Sequence, residues 1–89
     1  MRSKAANFIM YYVYLLRSQS NPKKTYVGMT NDFEARLAKH NSGGPPHTSK
    51  YMPWDLVATI GVPEKAKAAE LEKYFKTGSG HAFAHKHLW

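Results

Sequence analysis

An α+β fold, built on a small three-stranded antiparallel sheet flanked by helices, is what this 89-residue chain predicts. Two observations carry that expectation. The runs "YYVYLL" at 11–16 and "TYVGMT" at 25–30 are β-branched and aromatic, and "SQSNPKK" at 18–24 between them is turn-forming. Apolar residues then switch to helical spacing around a third strand-like run, "WDLVATIG" at 54–61. The predicted order is β-β-α-β-α-α, with no internal repeat, linker or low-complexity tract.

Each element has its own signal. The first strand runs Tyr11–Arg17 and the second Thr25–Met29. A helix is predicted from Asp32 to Asn41, with Asn31 as N-cap, Glu34 three residues on, and Phe33 and Leu37 as its apolar stripe. "NSGGPP" at 41–46 ends it, and the loop continues through "HTSKYMP" to the third strand. The second helix begins at Pro63 or Glu64 and ends at Lys76, ahead of Gly78. A short third helix starts near Ser79, with Phe83 and Leu88 packing back.

Residues 10–89 read as one domain, and residues 1–9 as a loose leader, since Met10 is itself a plausible start. "MRSK" before "FIMYYVYLL" has the outline of a signal peptide, but the run is tyrosine-rich, is followed by Arg17, and is too short to span a bilayer. Hydrophobic content of 43% is ordinary for a folded domain. The absence of cysteine removes disulfides, thiol catalysis and cysteine-bound zinc, and fits a reducing cytoplasm.

Thirteen Lys and Arg against six Asp and Glu give a net charge of +7. A small basic domain repels itself unless it meets something anionic. The charges are dispersed over the chain, with no polybasic tail or lipidation signal, which points to nucleic acid and away from a membrane.

Spacing then picks out individual side chains. On the second helix Ala68, Leu71 and Phe75 form the buried stripe, flanked by Tyr74. Glu70 faces solvent. Glu72 lies at the margin of the apolar face, where a carboxylate requires a cation. A salt bridge to a nearby Lys or Arg is the first reading there, and a hard metal ion the alternative.

Arg36 and His40 stand four apart beside the Phe33–Leu37 stripe. With Lys39 they read as a solvated face, or as a helix that holds phosphate oxygens. If the first two strands pair with equal parity, Tyr14, Leu16, Tyr26 and Gly28 share a sheet face, and Gly28 leaves that face open to an approaching group. His81, His85 and His87 have helical spacing suited to zinc, but no cysteine or acidic partner completes a set.

Taken together, "YVYLL" at 12–16, "TYVG" at 25–28, "RLAKHNSG" at 36–43, "MPWDLV" at 52–57 and "AAELEKYFKTGSG" at 68–80 resemble the GIY-YIG nuclease superfamily. The likeness is closest to its small single-domain bacterial members, relatives of the excision-repair incision subunit. The motif tyrosines fall on Tyr14 and Tyr26, with Tyr12 in place of the usual glycine. The helix arginine falls on Arg36, a histidine present in many members on His40, and the metal-binding glutamate on Glu72. Met29 stands where some branches carry lysine, and Ala84 where some carry asparagine.

The resemblance implies hydrolysis of phosphodiester bonds in DNA with one Mg²⁺ or Mn²⁺ held by Glu72. Arg36 would clamp a non-bridging oxygen, and Tyr26 would accept a proton from the attacking water. Tyr14 would orient that water or share the role, with His40 as an alternative base. Lys39, Lys50, Lys73 and Lys76, with Tyr51 and Trp54, would form a binding surface suited to single-stranded or branched DNA. The rival readings are a silent nucleic-acid-binding module and a small basic protein that rides on ribosomal RNA.

Overall fold

A computed structural model describes residues 9–44 and 46–89, so the expected leader lies, apart from Ile9, outside the described residues. The elements are β1 (Tyr11–Ser18), β2 (Thr25–Thr30), α1 (Phe33–Asn41), α2 (Pro46–Ser49), β3 (Trp54–Val62), α3 (Lys65–Phe75) and α4 (Gly78–His87). The three strands pair antiparallel in the order β2-β1-β3. The predicted α+β architecture is the observed one.

As the central strand, β1 is covered on both sides. Its residues Val13, Tyr14, Leu15 and Leu16 are therefore all buried, where a one-sided sheet would alternate. Val13 and Leu15 pack with Ala68, Phe75 and Ala84 beneath α3 and α4, joined by Leu71 and Leu88. Tyr14 and Leu16 face the other way, with Trp54, Tyr26, Phe33, Leu37 and Tyr51 beneath α1 and α2. Tyr14 pairs with Gly28 and Leu16 with Tyr26, which is the equal-parity register.

Four local details differ from expectation. The cap of α1 is Asp32, not Asn31: its carboxylate accepts from the Ala35 amide at 3.1 Å, while Thr30 Oγ1 accepts from the Asp32 amide at 3.1 Å. A charged acceptor at the helix start also suits the positive end of the helix dipole. The stretch expected to be one continuous loop holds the single turn α2, with a proline in its first position.

At the other end, α4 is capped by Thr77, whose hydroxyl accepts from the Gly80 amide at 3.1 Å. A side chain at Gly80 would run into the Tyr74 carbonyl and Phe75 Cα, so glycine permits the tight turn between α3 and α4. Phe83 does not pack back fully as expected. It is 43% exposed and rests edgewise on Tyr74, whereas Ala84 takes the buried position.

Trp54 is tied down on all sides at the start of β3. Asn41 closes α1 onto it, accepting from its amide at 2.6 Å and donating to its carbonyl at 3.0 Å. The indole N–H donates to the Thr48 carbonyl at 3.0 Å, and the residue is 3% exposed. Trp54 is therefore a strut joining α1, α2 and β3, and its burial corrects the expectation that its ring is free to stack on a base. Among the described residues, no helix is long and apolar enough to cross a membrane.

Candidate active site

Four elements deliver one side chain each to a single region. Tyr14 comes from the buried middle of β1 and Tyr26 from β2, directly opposite Leu16. Arg36 projects from the exposed side of α1, and Glu72 from the half-buried margin of α3. Tyr14 senses the other three. Its hydroxyl hydrogen-bonds Tyr26, and its protonation responds to the charges of Tyr26, Arg36 and Glu72.

Gly28 is what lets Tyr14 sit there. A Cβ on Gly28 would overlap the Tyr14 ring and hydroxyl. The space that glycine vacates is filled by the side chain of its own cross-strand partner, which corrects the idea that it is kept open for an incoming group.

The tyrosine hydroxyls connect to a buried polar chain. Tyr14 Oη and His40 Nε2 share a hydrogen bond of 3.1 Å, and His40 Nδ1 and Thr48 Oγ1 share another of 3.1 Å. His40 is 1% exposed and Thr48 2%. The stripe of Arg36, Lys39 and His40, which spacing offered as a solvated or a phosphate-holding face, is thus split: Arg36 and Lys39 are exposed and His40 turns inward. The ring of Tyr26 lies 4.9 Å from that of His40, closing the cluster.

Burial, then the adjacent Tyr26, push the Tyr14 hydroxyl up to about 12, against a smaller downward pull from Arg36. Tyr14 is a neutral phenol at physiological pH. Its folded value lies above the unfolded value near 10, so its contribution to stability is full below pH 10 and is lost as pH rises through about 12. The loss amounts to roughly 2–3 kcal/mol. A tyrosinate absorbance titration is expected to show one late-ionising component among the six tyrosines, and Tyr14→Phe to delete it. A late component that survives Tyr14→Phe would reassign it.

A cleft of about 210 Å³ runs along β2, lined by Thr25, Tyr26, Val27, Phe75, Lys76 and His81. Lys76 links this cleft to Glu72, its ammonium standing 3.1 Å from the Glu72 carboxylate. Both readings of Glu72 made from spacing therefore remain physical: it has a lysine partner that lines the cleft, and 28% of its side chain is exposed. Glu70 pairs with Lys67 in solvent, as its position on the helix implied.

The expected nucleic-acid surface is only partly assembled. Lys50 lies over the Tyr51 ring at 5.5 Å, and Lys24, which sequence did not single out, joins it at 5.3 Å. Lys39 and Lys73 are exposed, Lys76 is engaged by Glu72, and Trp54 is withdrawn into the core. His81 and His85 stack at 6.4 Å, and no group of three His, Cys, Asp or Glu gathers among the described residues. Thr48 also escaped notice in the sequence. A threonine inside an expected loop carries no periodicity, and only the turn of α2 directs it at His40.

With that geometry in view, comparison with known proteins is informative. The GIY-YIG catalytic domain matches residues 10–83. The chain is 40% identical over 67 residues to the UPF0213 protein YsiG of Lactococcus lactis, covering 74% of this chain and 62% of that protein. It is 34% identical over 85 residues to the structure-specific endonuclease subunit SLX1 of Candida dubliniensis, covering 88% of this chain but 28% of that protein. A solution NMR structure of a UPF0213 protein from Bacillus halodurans superposes with a TM-score of 0.53 at 31% identity, covering 88% of this chain and 84% of that one. The matched span runs from just before β1 into α4 and includes Tyr14, Tyr26, Arg36, His40 and Glu72. This chain belongs to the GIY-YIG catalytic-domain family.

Proposed function

We propose that this chain is a divalent-metal-dependent endonuclease that hydrolyses phosphodiester bonds in DNA, acting on single-stranded or branched substrates in repair or processing. The observation that carries the reading is the convergence on Tyr14 of Tyr26, Arg36 and Glu72 from three other elements, with Tyr26 lining the β2 cleft. The names of the SLX1 relatives, structure-specific endonuclease subunits, support a substrate recognised by its structure.

The residues present fit one hard cation. Glu72 already pairs with a positive charge, the ammonium of the cleft-lining Lys76. Mg²⁺ typically takes one or two carboxylates and fills its remaining positions with water and phosphate oxygens. Glu72 would hold it, and the ion would supply charge stabilisation at the scissile phosphate.

The chain's own groups account for the rest. Tyr26, half-buried and lining the cleft, would act as its phenolate and take the water's proton to become a neutral phenol as the water oxygen bonds to phosphorus. The bond from phosphorus to the leaving oxygen breaks, and that oxygen takes a proton from solvent. Arg36 would hold a non-bridging oxygen as negative charge builds on it. Tyr14 cannot touch substrate at 1% exposure, so its hydroxyl would orient and stabilise Tyr26. His40 would act through Tyr14 as a positioning residue rather than as a base, because both its ring nitrogens are engaged inside the core.

The test is a panel of labelled single-stranded, duplex, branched and RNA substrates, with Mg²⁺ or Mn²⁺ and with chelator. Cleavage of branched or single-stranded DNA that chelator abolishes is expected. Binding without cleavage on every substrate would instead mark a silent nucleic-acid-binding module.

A further inference from the structure

Two cations with no carboxylate to meet share one ring on the face of the sheet that carries Tyr26. The Lys24 ammonium stands 5.3 Å from the centre of the Tyr51 ring, and the Lys50 ammonium 5.5 Å from it. Both lysines are exposed, and the salt bridges among the described residues belong to Lys67 and Lys76 instead. Asp55, the acidic residue of β3, accepts from the Gln19 side chain at 2.6 Å. Like charges gathered at one ring repel, and an anion seated against both relieves that repulsion.

The grouping is built into the fold. Ser18, 1% exposed, holds two of its members: the Ser18 amide donates to the Lys24 carbonyl at 3.0 Å, and the Ser18 hydroxyl donates to the Tyr51 carbonyl at 2.6 Å. The Tyr51 ring rests edgewise on Trp54 at 6.4 Å, and the Tyr26 ring meets the same indole at 6.4 Å. One strut therefore places both the cations and Tyr26. Lys24 continues the β1–β2 ladder one residue beyond the Arg17–Thr25 pair, and it precedes Tyr26 by two. Two residues of strand span about 7 Å on one face, the length of one step of a sugar–phosphate backbone.

We infer that Lys24, Tyr51 and Lys50 form a phosphate-binding subsite, which takes the phosphodiester next to the one being cut. Ammonium groups over the Tyr51 ring stand where a stacked base would lie, so the ring serves to hold cations and not to stack on a base. The subsite reads the backbone and adds affinity without sequence preference. Its position beside the cut deepens the nuclease reading and rests on it; the subsite itself does not.

Binding is measured by fluorescence anisotropy with chelator present, which keeps the strand whole. The full chain is used as wild type, as Lys24→Gln with Lys50→Gln, and as the control pair Lys65→Gln with Lys86→Gln, which removes the same charge from α3 and α4. The probes are a short single-stranded DNA, its abasic counterpart, and its methylphosphonate counterpart, whose backbone is neutral. On the first two, the Lys24/Lys50 variant is expected to bind about 5-fold more weakly than the control pair, and its salt slope to fall by about 0.7, the value for one phosphate neutralised on a single strand. On the neutral backbone the two variants should match. Tyr51→Leu is expected to lose affinity equally for the base-bearing and the abasic strand.

Equal affinity of the two paired variants for the base-bearing strand overturns the subsite. A loss confined to the base-bearing strand overturns phosphate recognition and returns Tyr51 to base stacking. For the placement, a single methylphosphonate is set on either side of the scissile phosphate in a substrate that the panel shows to be cut. On one side it should slow the wild type and leave the Lys24/Lys50 variant unaffected. No difference between the two proteins on either side overturns the placement. Because binding needs no cleavage, failure of the nuclease reading is recorded separately by the substrate panel.

Discussion

Replacing Glu72 by glutamine is expected to reduce metal-dependent cleavage by about 10³-fold or more, equivalent to roughly 4 kcal/mol of transition-state stabilisation, while leaving the fold and DNA retention intact. The substitution is isosteric and removes only the charge. Among the described residues that charge pairs with Lys76 at 3.1 Å, and the lysine side of the pair is 55% exposed. Ion pairs of that kind contribute about 0–1 kcal/mol, so the thermal midpoint should barely move. The large and small effects are expected to separate because the carboxylate is partly exposed beside Lys76 rather than built into the core.

Mn²⁺ titration of the same variant supplies the second reading. Wild type should bind one ion and Glu72→Gln none that matters for cleavage. A Glu72→Gln protein that cleaves at near wild-type rate would remove Glu72 from the metal assignment. When a cation takes Glu72, Lys76 must release it. The freed ammonium then lies at the β2 cleft, where a phosphate would pass. Lys76 can thus serve in turn as the partner of Glu72 and as a substrate contact, the role its sequence position implied.

Much of the architecture was readable because it rests on local signals. The strand runs are β-branched and aromatic between turn-formers, and the α3 stripe of Ala68, Leu71 and Phe75 has helical spacing that no strand would use. Placing Glu72 at the half-buried margin of α3 and Glu70 in solvent followed from angle alone. What escaped was set by tertiary contact. A four-residue helix has too few turns to show a period, so α2 read as loop. Burial of Trp54 depends on α2 folding over it, and an aromatic in a basic segment looks the same from sequence whether it stacks on a base or fills a core.

The burial of His40 was hidden for the same reason. Its neighbours Arg36 and Lys39 are exposed, and only the positions of Tyr14 and Thr48 turn the imidazole inward. Phe83 erred in the opposite direction. A chain this small cannot bury every aromatic ring, and Ala84 already occupies the contact with the core.

The two tyrosines are expected to respond to deletion of their hydroxyls in opposite order for rate and stability. Tyr26→Phe removes the group proposed to take the proton of the attacking water, and a general base is worth about 10²- to 10⁴-fold. Tyr26 lines the cleft and is half-buried, so losing its hydroxyl should change stability little. Tyr14→Phe removes the 3.1 Å hydrogen bond between Tyr14 Oη and His40 Nε2, inside a site where His40 is 1% exposed. Loss of a hydrogen bond costs about 0.5–1.5 kcal/mol, so Tyr14→Phe should melt earlier. Its rate should fall less than that of Tyr26→Phe, since Tyr26 keeps its own hydroxyl and loses only a donor. Paired measurements of melting midpoint and pH–rate profile on both variants decide the assignment. If Tyr14→Phe loses the rising pH limb while Tyr26→Phe keeps it, the roles of the two phenols are exchanged, and the proton leaves the water toward the buried ring rather than the one at the cleft.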